Sequence, residues 1–278
     1  MKIGFIFGHQ QPGVKSWLRE VIDLLRSWGV DVGEIYPGRG LIDLSKIRIE
    51  YDLYVLKPSD SDLALSYAGI LHGLGARILN PYPVSAMLRD KVIATQKIQR
   101  AGIPVPHTVA VLKEEQVREL LDTGPLIVKP YRGHLGQGVR LIRSPDDILP
   151  LDGIHLAQRY HQPDGLDRKL YSIGGRVFGV LRKFPAHTYE EKMGTPFTVE
   201  PDLLSLVKCC GDAFGIDTFG VDVIISDGKP YVVDMSAFPG FKGVPDAATR
   251  IADYLTCYLD SVTLNPAPSC LVQPGAGT

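Results

Sequence analysis

The sequence lacks both a long apolar segment and an excess of one charge. No stretch of its 278 residues approaches the roughly eighteen consecutive apolar residues of a membrane-spanning helix, and the start, MKIGFIFGHQ, has no basic flank or small-residue cleavage pattern. Thirty basic and thirty-one acidic residues leave a net charge of −1, and no basic stripe is interleaved with aromatics. We therefore expect a cytoplasmic protein that binds neither a membrane nor nucleic acid.

Cysteine is also scarce, which argues against a thiol-ligated metal site. The four cysteines show no metal-ligand spacing, and the adjacent Cys209 and Cys210 lie in an apolar helical segment as small hydrophobic residues.

A dinucleotide fingerprint is missing as well. The loop after the first predicted strand reads GHQQPG, without the glycine spacing that brings a pyrophosphate to a helix N-terminus, so no nicotinamide cofactor is expected. His9, Gln10 and Gln11 in that loop could still hold a substrate.

Residues 1–84 alternate between apolar strands and amphipathic helices. The predicted strands are Lys2–Phe7, Val30–Tyr36, Leu53–Leu56 and Arg77–Leu79, and the predicted helices are Val14–Trp28 and Leu63–Leu74. This βαβ rhythm is typical of a parallel sheet with helices on both faces. The first domain is therefore predicted to be a small doubly wound α/β unit over residues 1–84.

The rest of the chain has the pattern of an α+β protein. A helix over Ser85–Ala101 is followed by closely spaced strands that favour antiparallel sheets, with further helices at Glu114–Leu121, Pro201–Phe214 and Asp246–Leu259. The predicted strands are Thr108–Leu112, Leu126–Lys129, Val139–Ile142, His155–Tyr160, Leu170–Ile173, Arg176–Phe184, Gly220–Ser226 and Tyr231–Ser236. We assign a central subdomain to residues 85–160, a C-terminal subdomain to 161–262 and a flexible tail, rich in Pro and Gly, to 263–278.

A glycine-rich run follows a strand that ends in lysine. Lys129 precedes YRGHLGQG, in which Gly133, Gly136 and Gly138 would let backbone N–H groups close around phosphate oxygens. His134 within the run could touch a phosphate or face solvent. Taken alone, the run is equally compatible with a hairpin loop beside a solvated lysine.

A pair of carboxylates lies on a predicted hairpin. In GVDVIISDGKPYVVDMS, strand alternation places Asp222 on one face of its strand and Asp234 on one face of the partner strand. Two such carboxylates can converge, and hard oxygen ligands suit magnesium that carries phosphates. The alternative is a pair of strand-edge acids that face water.

A third segment, HLAQRY, leads a strand into a polar turn before Asp167 and Lys169. Its backbone groups could form hydrogen bonds with an adenine edge, and Asp167 could accept a hydrogen bond from a ribose hydroxyl.

Taken in this order, the segments resemble the ATP-grasp superfamily, notably its RimK-like ligases. The matching segments are NPYPVSAMLRDK, AGIPVPHT, PLIVKPYRGHLGQGV, AQRY, DRKLYSIGGRV, FGVDVI and VVDMSAFPGF, over about residues 80–260. The first eighty residues match only in general architecture. The resemblance implies an ATP-grasp fold with an N-terminal doubly wound domain, and it implies ATP and Mg²⁺ as cofactors.

The resemblance also assigns roles to single residues. The nucleotide would be bound by Lys91, Lys129, Gly133, His134, Gly136, Gly138, Gln158, Arg159, Tyr160 and Asp167. Magnesium would be held by Asp222, Asp234 and Ser236, and Lys129, Lys169 and Arg182 would act in catalysis. Ser236 stands where RimK-like ligases usually carry asparagine, and Lys169 stands where they commonly carry arginine.

The activity implied is a carboxylate–amine or carboxylate–thiol ligase that works through an acyl phosphate. DMSAFPGFKGV and Lys169 are also similar to inositol-trisphosphate kinases, which keeps phosphorylation of a hydroxyl as the alternative. A silent ATP-sensing module is a third reading. The expected partner is a small-molecule substrate such as an amino acid or a peptide, and the sequence leaves a homodimer open.

Overall fold

The structure, a computed structural model, describes residues 1–8, 17–57, 61–133, 136–183, 191 and 193–264. Three sheets organise these residues. The predicted start of the first helix at Val14, and the loop residues His9, Gln10 and Gln11, lie outside the described residues. No helix in the described part of the chain is long and apolar enough to cross a membrane.

The first sheet is parallel and has helices on both faces. Its strands are β1 (Lys2–Phe7), β2 (Asp31–Ile35), β3 (Leu53–Lys57) and β4 (Ile78–Leu79), in the order β2-β1-β3-β4. Helix α1 (Trp17–Ser27) packs on the face that contains Ile3 and Phe5, and helix α2 (Asp62–Gly73) packs on the opposite face with Ile6. Strand alternation thus buries both faces, as the predicted doubly wound arrangement requires.

The predicted helix over Ser85–Ala101 is two helices, α3 (Tyr82–Arg89) and α4 (Lys91–Arg100). Asp90 separates them because its backbone is extended and its carboxylate accepts hydrogen bonds from the backbone N–H groups of Val92 and Ile93. An aspartate that caps a helix in this way satisfies donors that would otherwise be unpaired, so the chain can restart a helix without Gly or Pro.

The second sheet is antiparallel, in the order β5-β8-β6-β7. Its strands are β5 (Thr108–Val111), β6 (Leu126–Pro130), β7 (Arg140–Ile142) and β8 (His155–Arg159), and helix α5 (Glu114–Leu121) covers it. These elements agree closely with the predicted ones.

The third sheet is also antiparallel, in the order β11-β10-β9-β12-β13. Its strands are β9 (Leu166–Ile173), β10 (Arg176–Lys183), β11 (Thr195–Phe197), β12 (Phe219–Ser226) and β13 (Lys229–Ser236), and helix α6 (Pro201–Phe214) packs against it. β9 begins at Leu166 and not at Leu170, because it pairs with β10 along its whole length. Asp167 and Lys169 therefore lie within a strand and not before it. β11 was not predicted.

The last helix returns to the first sheet. Helix α7 (Ala247–Leu264) packs against α1, and Phe238 and Phe241, which follow β13, join the same hydrophobic core as Ile3 and Phe5. The first strand and the last described helix thus share one hydrophobic core. The predicted subdomain boundaries stay a prediction, and residues 265–278 of the predicted tail lie outside the described residues.

Asn80 connects the end of the first sheet to the third. Its side chain is 1% exposed, and its Nδ2 donates to the carbonyl oxygens of Thr218, at 2.6 Å, and Ala237. These carbonyls lie just before β12 and just after β13. The bonds hold both ends of the carboxylate-bearing hairpin against the first domain.

We predict that Asn80→Ala lowers the free energy of unfolding by about 2 kcal/mol, because two buried carbonyl groups lose their donor. Chemical denaturation measures the change. Gln99→Ala, at an exposed position on α4, is the control and should change stability by less than about 0.5 kcal/mol. Equal effects of the two substitutions would contradict the linking role of Asn80.

Candidate active site

Two carboxylates lie side by side on the third sheet. Asp222 on β12 and Asp234 on β13 are register partners, and the register shifts directly after Asp222. Ser236 lies two residues beyond Asp234, opposite Gly220, and so belongs to the same face of the sheet. The structure thus brings together the three residues predicted to hold magnesium.

These donors suit a hard cation that brings some of its own ligands. Among the described residues, no group of three or more His, Cys, Asp or Glu side chains could hold a metal ion by itself. Two carboxylates and a hydroxyl offer only oxygen atoms, and magnesium commonly combines one or two carboxylates with water and substrate phosphates. The donor set therefore fits magnesium bound together with a polyphosphate.

Each carboxylate is paired with a lysine from another element. The Nζ atom of Lys91 lies 2.8 Å from Oδ1 and 2.6 Å from Oδ2 of Asp234, and Lys169 on β9 forms an ion pair with Asp222. Burial by itself would raise the pKa of Asp234, but the positive charges of Lys91 and Lys129 hold it below its usual value. Asp234 is therefore ionised at neutral pH.

The helix break at Asp90 positions Lys91. Lys91 is the first residue of α4, and its backbone N–H donates to the carbonyl oxygen of Tyr131, 3.0 Å away, directly after β6. A continuous helix through Arg89 and Lys91 would use that N–H internally. The cap thus fixes Lys91 at the junction of the second and third sheets.

Lys129 is buried at the end of β6, with 7% of the residue exposed. Its Nζ donates to the carbonyl oxygen of Val233 at 2.8 Å. Desolvation is the main cause that lowers the pKa of Lys129 to about 8; the charge of Lys91 acts in the same direction, and the charges of Asp234 and Asp222 oppose it. A buried ammonium next to the candidate metal site can bind a phosphate oxygen strongly, because few water molecules have to be displaced from it.

β9 adds a second cluster of charges on the same face. Asp167 lies opposite Arg182 in the register, and Lys169 lies opposite Asp222. Burial and the charge of Asp222 together raise the pKa of Asp167 to about 6, against the opposing charges of Lys169 and Arg182. Burial would lower the pKa of Lys169, but Asp222 and Asp167 raise it overall. The ribose role of Asp167 stays a prediction; its described neighbours are these charged groups.

Arg182 on β10 reaches toward the same region. Its Nη2 donates to the hydroxyl of Tyr171 at 2.8 Å and to the carbonyl oxygen of Lys242 at 3.4 Å. Its Nε is buried and has no hydrogen-bond partner among the described residues. The guanidinium therefore keeps a donor for a ligand.

The side chains of the predicted adenine hinge form hydrogen bonds with other residues of the protein. Gln158 is 3% exposed and its Nε2 donates to Oγ1 of Thr108 at 3.0 Å. The side chain of Arg159 turns to the end of α5, where it donates to the carbonyl oxygens of Leu120 and Gly124 and to the hydroxyl of Thr123. A nucleotide contact from Arg159 would therefore come from its main chain. Tyr160 bonds Gln162 through its hydroxyl.

The glycine run connects β6 to β7. Gly136 and Gly138 have φ angles of +73° and +72°, which favour glycine, and a Cβ atom at Gly138 would lie 2.8 Å from the ring of Pro130. Gly133 precedes the turn. His134 lies outside the described residues, so its predicted phosphate contact stays a prediction.

Lys57 is a candidate residue that the sequence patterns did not single out. It is the last residue of β3, its side chain is half-buried, and its Nζ donates to the carbonyl oxygen of Phe238 at 2.7 Å. The position of Lys57 at the carboxyl end of a parallel strand could have identified it, since parallel sheets bind ligands at that end of their strands.

The chain matches known proteins in sequence over most of its length. The model of the RimK-like ATP-grasp domain matches residues 88–259. Glutamate–LysW ligase ArgX of Sulfurisphaera tokodaii is 27% identical over 240 residues, which cover 78% of this chain and 85% of that protein. A probable alpha-L-glutamate ligase of Aliivibrio salmonicida is 25% identical over 205 residues, which cover 64% of this chain and 68% of that protein.

Solved structures share the fold. D-cycloserine synthetase DcsG has a TM-score of 0.75 at 17% identity, covering 93% of this chain and 100% of that one. D-alanine–D-alanine ligase of Bacillus anthracis has a TM-score of 0.69 at 19% identity, covering 95% and 97%. The predicted ATP-grasp fold and the predicted class, an ATP-dependent ligase, are thereby confirmed. Because the family model spans well over half of the chain, this protein belongs to the RimK-like ATP-grasp family.

Proposed function

We propose that this protein is a carboxylate–amine ligase that activates an acid with ATP and joins it to an amino acid. One observation carries the proposal: Asp222 and Asp234 lie side by side while three lysines from different elements converge on them. Lys91 comes from α4, Lys129 from β6 and Lys169 from β9. Such an array suits a ligand with several negative charges that is bound together with a cation.

The first half-reaction forms an acyl phosphate. An oxygen of the substrate carboxylate attacks the γ-phosphorus of ATP, the bond from that phosphorus to the bridging oxygen breaks, and ADP leaves. Lys91 and Lys129 stabilise the charge on the phosphate oxygens, and Arg182 offers its free Nε–H to the transferred group or the acid. These residues act as preorganised charges and form no covalent bond.

The second half-reaction transfers the acyl group. The amine nitrogen attacks the acyl carbon, the bond from that carbon to the phosphate oxygen breaks, phosphate leaves, and the nitrogen releases a proton to solvent. A thiol in place of the amine would give the thioester alternative. The protein contributes mainly by holding both substrates in register and excluding water from the acyl phosphate.

Asp222, Asp234 and Ser236 would hold magnesium. When bound, the cation neutralises charge that develops on the phosphate oxygens during transfer. Ser236 contributes a neutral hydroxyl where a longer amide is usual in the family, so the two carboxylates carry most of the protein's share of the binding.

The relatives favour an amino acid as the amine. The sequence relatives described above are named glutamate ligases, and the solved neighbours include a D-alanine–D-alanine ligase. The cationic residues around the cleft agree with a substrate that carries carboxylates. Product analysis tests the reaction class: with acid and ATP but no amine, a ligase releases phosphate slowly, whereas a kinase would accumulate a stable phosphoester.

We predict that Lys129→Ala lowers kcat about a hundredfold, because loss of one preorganised charged donor in such a site costs on the order of 3 kcal/mol. ADP formation at saturating ATP measures the effect. Lys229→Ala is the matched control, since Lys229 is exposed at the far end of β13. Nearly full turnover of the Lys129→Ala enzyme would contradict the role of Lys129.

Asp234→Asn should raise the magnesium concentration needed for half-maximal turnover by at least about tenfold, since the site loses a negatively charged oxygen ligand. Turnover is measured across a magnesium titration after treatment with EDTA. Asp227→Asn is the control, because Asp227 sits at the hairpin turn between the same strands with φ +49°, a conformation that asparagine tolerates. An unchanged magnesium requirement in Asp234→Asn would exclude Asp234 as a ligand.

The lowered pKa of Lys129 predicts an alkaline limit to ATP use. The ammonium is charged below about pH 8 and neutral above it, so kcat/KM for ATP should fall as pH rises through about 8. Lys129→Arg keeps the charge at all these pH values and should move the fall to higher pH. If both enzymes lose activity over the same pH range, another group is responsible.

A further inference from the structure

Among the residues that the structure describes, no carboxylate is paired with the positive charge of Lys57. Its only described hydrogen bond is to the neutral carbonyl oxygen of Phe238, and no carboxylate among the described residues forms an ion pair with it. Desolvation, together with the positive charge of Lys242, lowers the pKa of Lys57 to about 8. An ammonium in such surroundings is destabilised unless an anion approaches it.

The segment that follows β13 accepts hydrogen bonds from two cationic side chains. In this segment, Phe238–Lys242, the carbonyl of Phe238 accepts from Lys57 and the carbonyl of Lys242 accepts from Arg182. The side chain of Lys242 folds back over Gly240, where a Cβ atom would lie 3.8 Å from its Cε. Two cationic side chains are thus anchored to one short segment, which itself carries a third.

Aromatic packing holds this segment in place. The ring centroids of Trp17 and Phe241 are 5.3 Å apart, and those of Phe238 and Phe241 are 5.6 Å apart. Phe241 is 1% exposed and has a φ angle of +45°, an uncommon conformation for a bulky residue that the surrounding core maintains. The segment that accepts hydrogen bonds from these cations is therefore part of the packed hydrophobic core.

Lys57 is separate from the lysines that are proposed to bind phosphate. Lys91 and Lys169 are paired with Asp234 and Asp222, and the pKa of Lys129 responds to both carboxylates. The pKa of Lys57 responds to Lys242 and to none of these groups. The charge of Lys57 thus remains available for an anion other than the polyphosphate.

We propose that Lys57, with the positive charge of Lys242 beside it, binds a substrate carboxylate that takes no part in the reaction. The first domain would then select substrates by a negative charge away from the reacting group. This inference rests on the proposed function, which supplies two candidate sources of the carboxylate: the acid and the amine. Both sources offer a carboxylate. A neutral amide has nearly the same shape as a carboxylate but lacks its charge, so it serves as the comparison ligand.

The test compares ligands that differ only in that charge. Calorimetry on protein loaded with MgADP would measure binding of L-glutamate against glutamine and isoglutamine for the amine source, and of glutarate against its monoamide for the acid source. We expect the wild-type protein to prefer a carboxylate over its amide on the order of tenfold or more from one source. Lys57→Met should abolish that preference while amide binding changes less than about threefold.

Two further variants separate charge recognition from structural damage. Lys57→Arg should restore most of the preference, since it retains the positive charge, and Lys229→Met should leave binding unchanged. Under turnover, Lys57→Met should raise KM for the same substrate on the order of tenfold with little change in kcat. A wild-type protein without any preference, or a Lys57→Met protein that keeps it, would overturn the inference.

Failure of the proposed function would look different. If no amine promoted ADP formation while the Lys57-dependent preference persisted, the ligase reaction would be wrong and the carboxylate site would stand. If amine-dependent ADP formation occurred and Lys57→Met kept the preference, the ligase reaction would stand and the carboxylate site would be wrong.

Discussion

Repulsion between Asp222 and Asp234 must be balanced before the third sheet can bring them together. Lys169 balances one carboxylate from within the sheet, whereas Lys91 reaches the other from α4 and Lys129 adds its charge from the second sheet. The balance therefore depends on elements that are far apart in the sequence. It also makes the cleft responsive to ligands, because polyphosphate and magnesium offer the same lysines and carboxylates new partners of opposite charge.

A second consequence is that the first domain takes part in the site. Asn80 ties the ends of the β12–β13 hairpin to the end of the first sheet, and α7 completes the core under α1. The segment after β13 therefore runs between the Asp222–Asp234 pair and the carboxyl edge of the parallel sheet. Lys57 meets this segment at Phe238, two residues beyond Ser236. One short stretch of backbone thus connects the proposed carboxylate site with the proposed phosphate site.

The sequence predicted most elements because hydrophobic periodicity and turn residues agreed over them, as in Glu114–Leu121 and Pro201–Phe214. It did not predict the break at Asp90, because Asp and Lys are also common on the exposed face of an uninterrupted helix. Only the hydrogen bonds of the Asp90 carboxylate identify it as a helix cap. The sequence also could not predict the hydrogen-bond partners of the Arg159 side chain or the burial of Lys57, because each depends on residues that are distant in sequence. The paired carboxylates were predictable because strand alternation and a two-residue turn are local rules.

Ser236 is a local difference that would affect the proposed magnesium site without affecting the fold. Gly220 lies opposite it, and a Cβ atom there would approach the Ser236 Oγ to 3.2 Å. Glycine at 220 therefore keeps the space beside residue 236 open, and Ser236 itself is exposed, so packing does not dictate a short side chain. A shorter neutral ligand leaves more of the coordination to water and phosphate oxygens. At the proposed site, magnesium would then bind chiefly as part of the nucleotide complex, with Asp222 and Asp234 as its protein ligands.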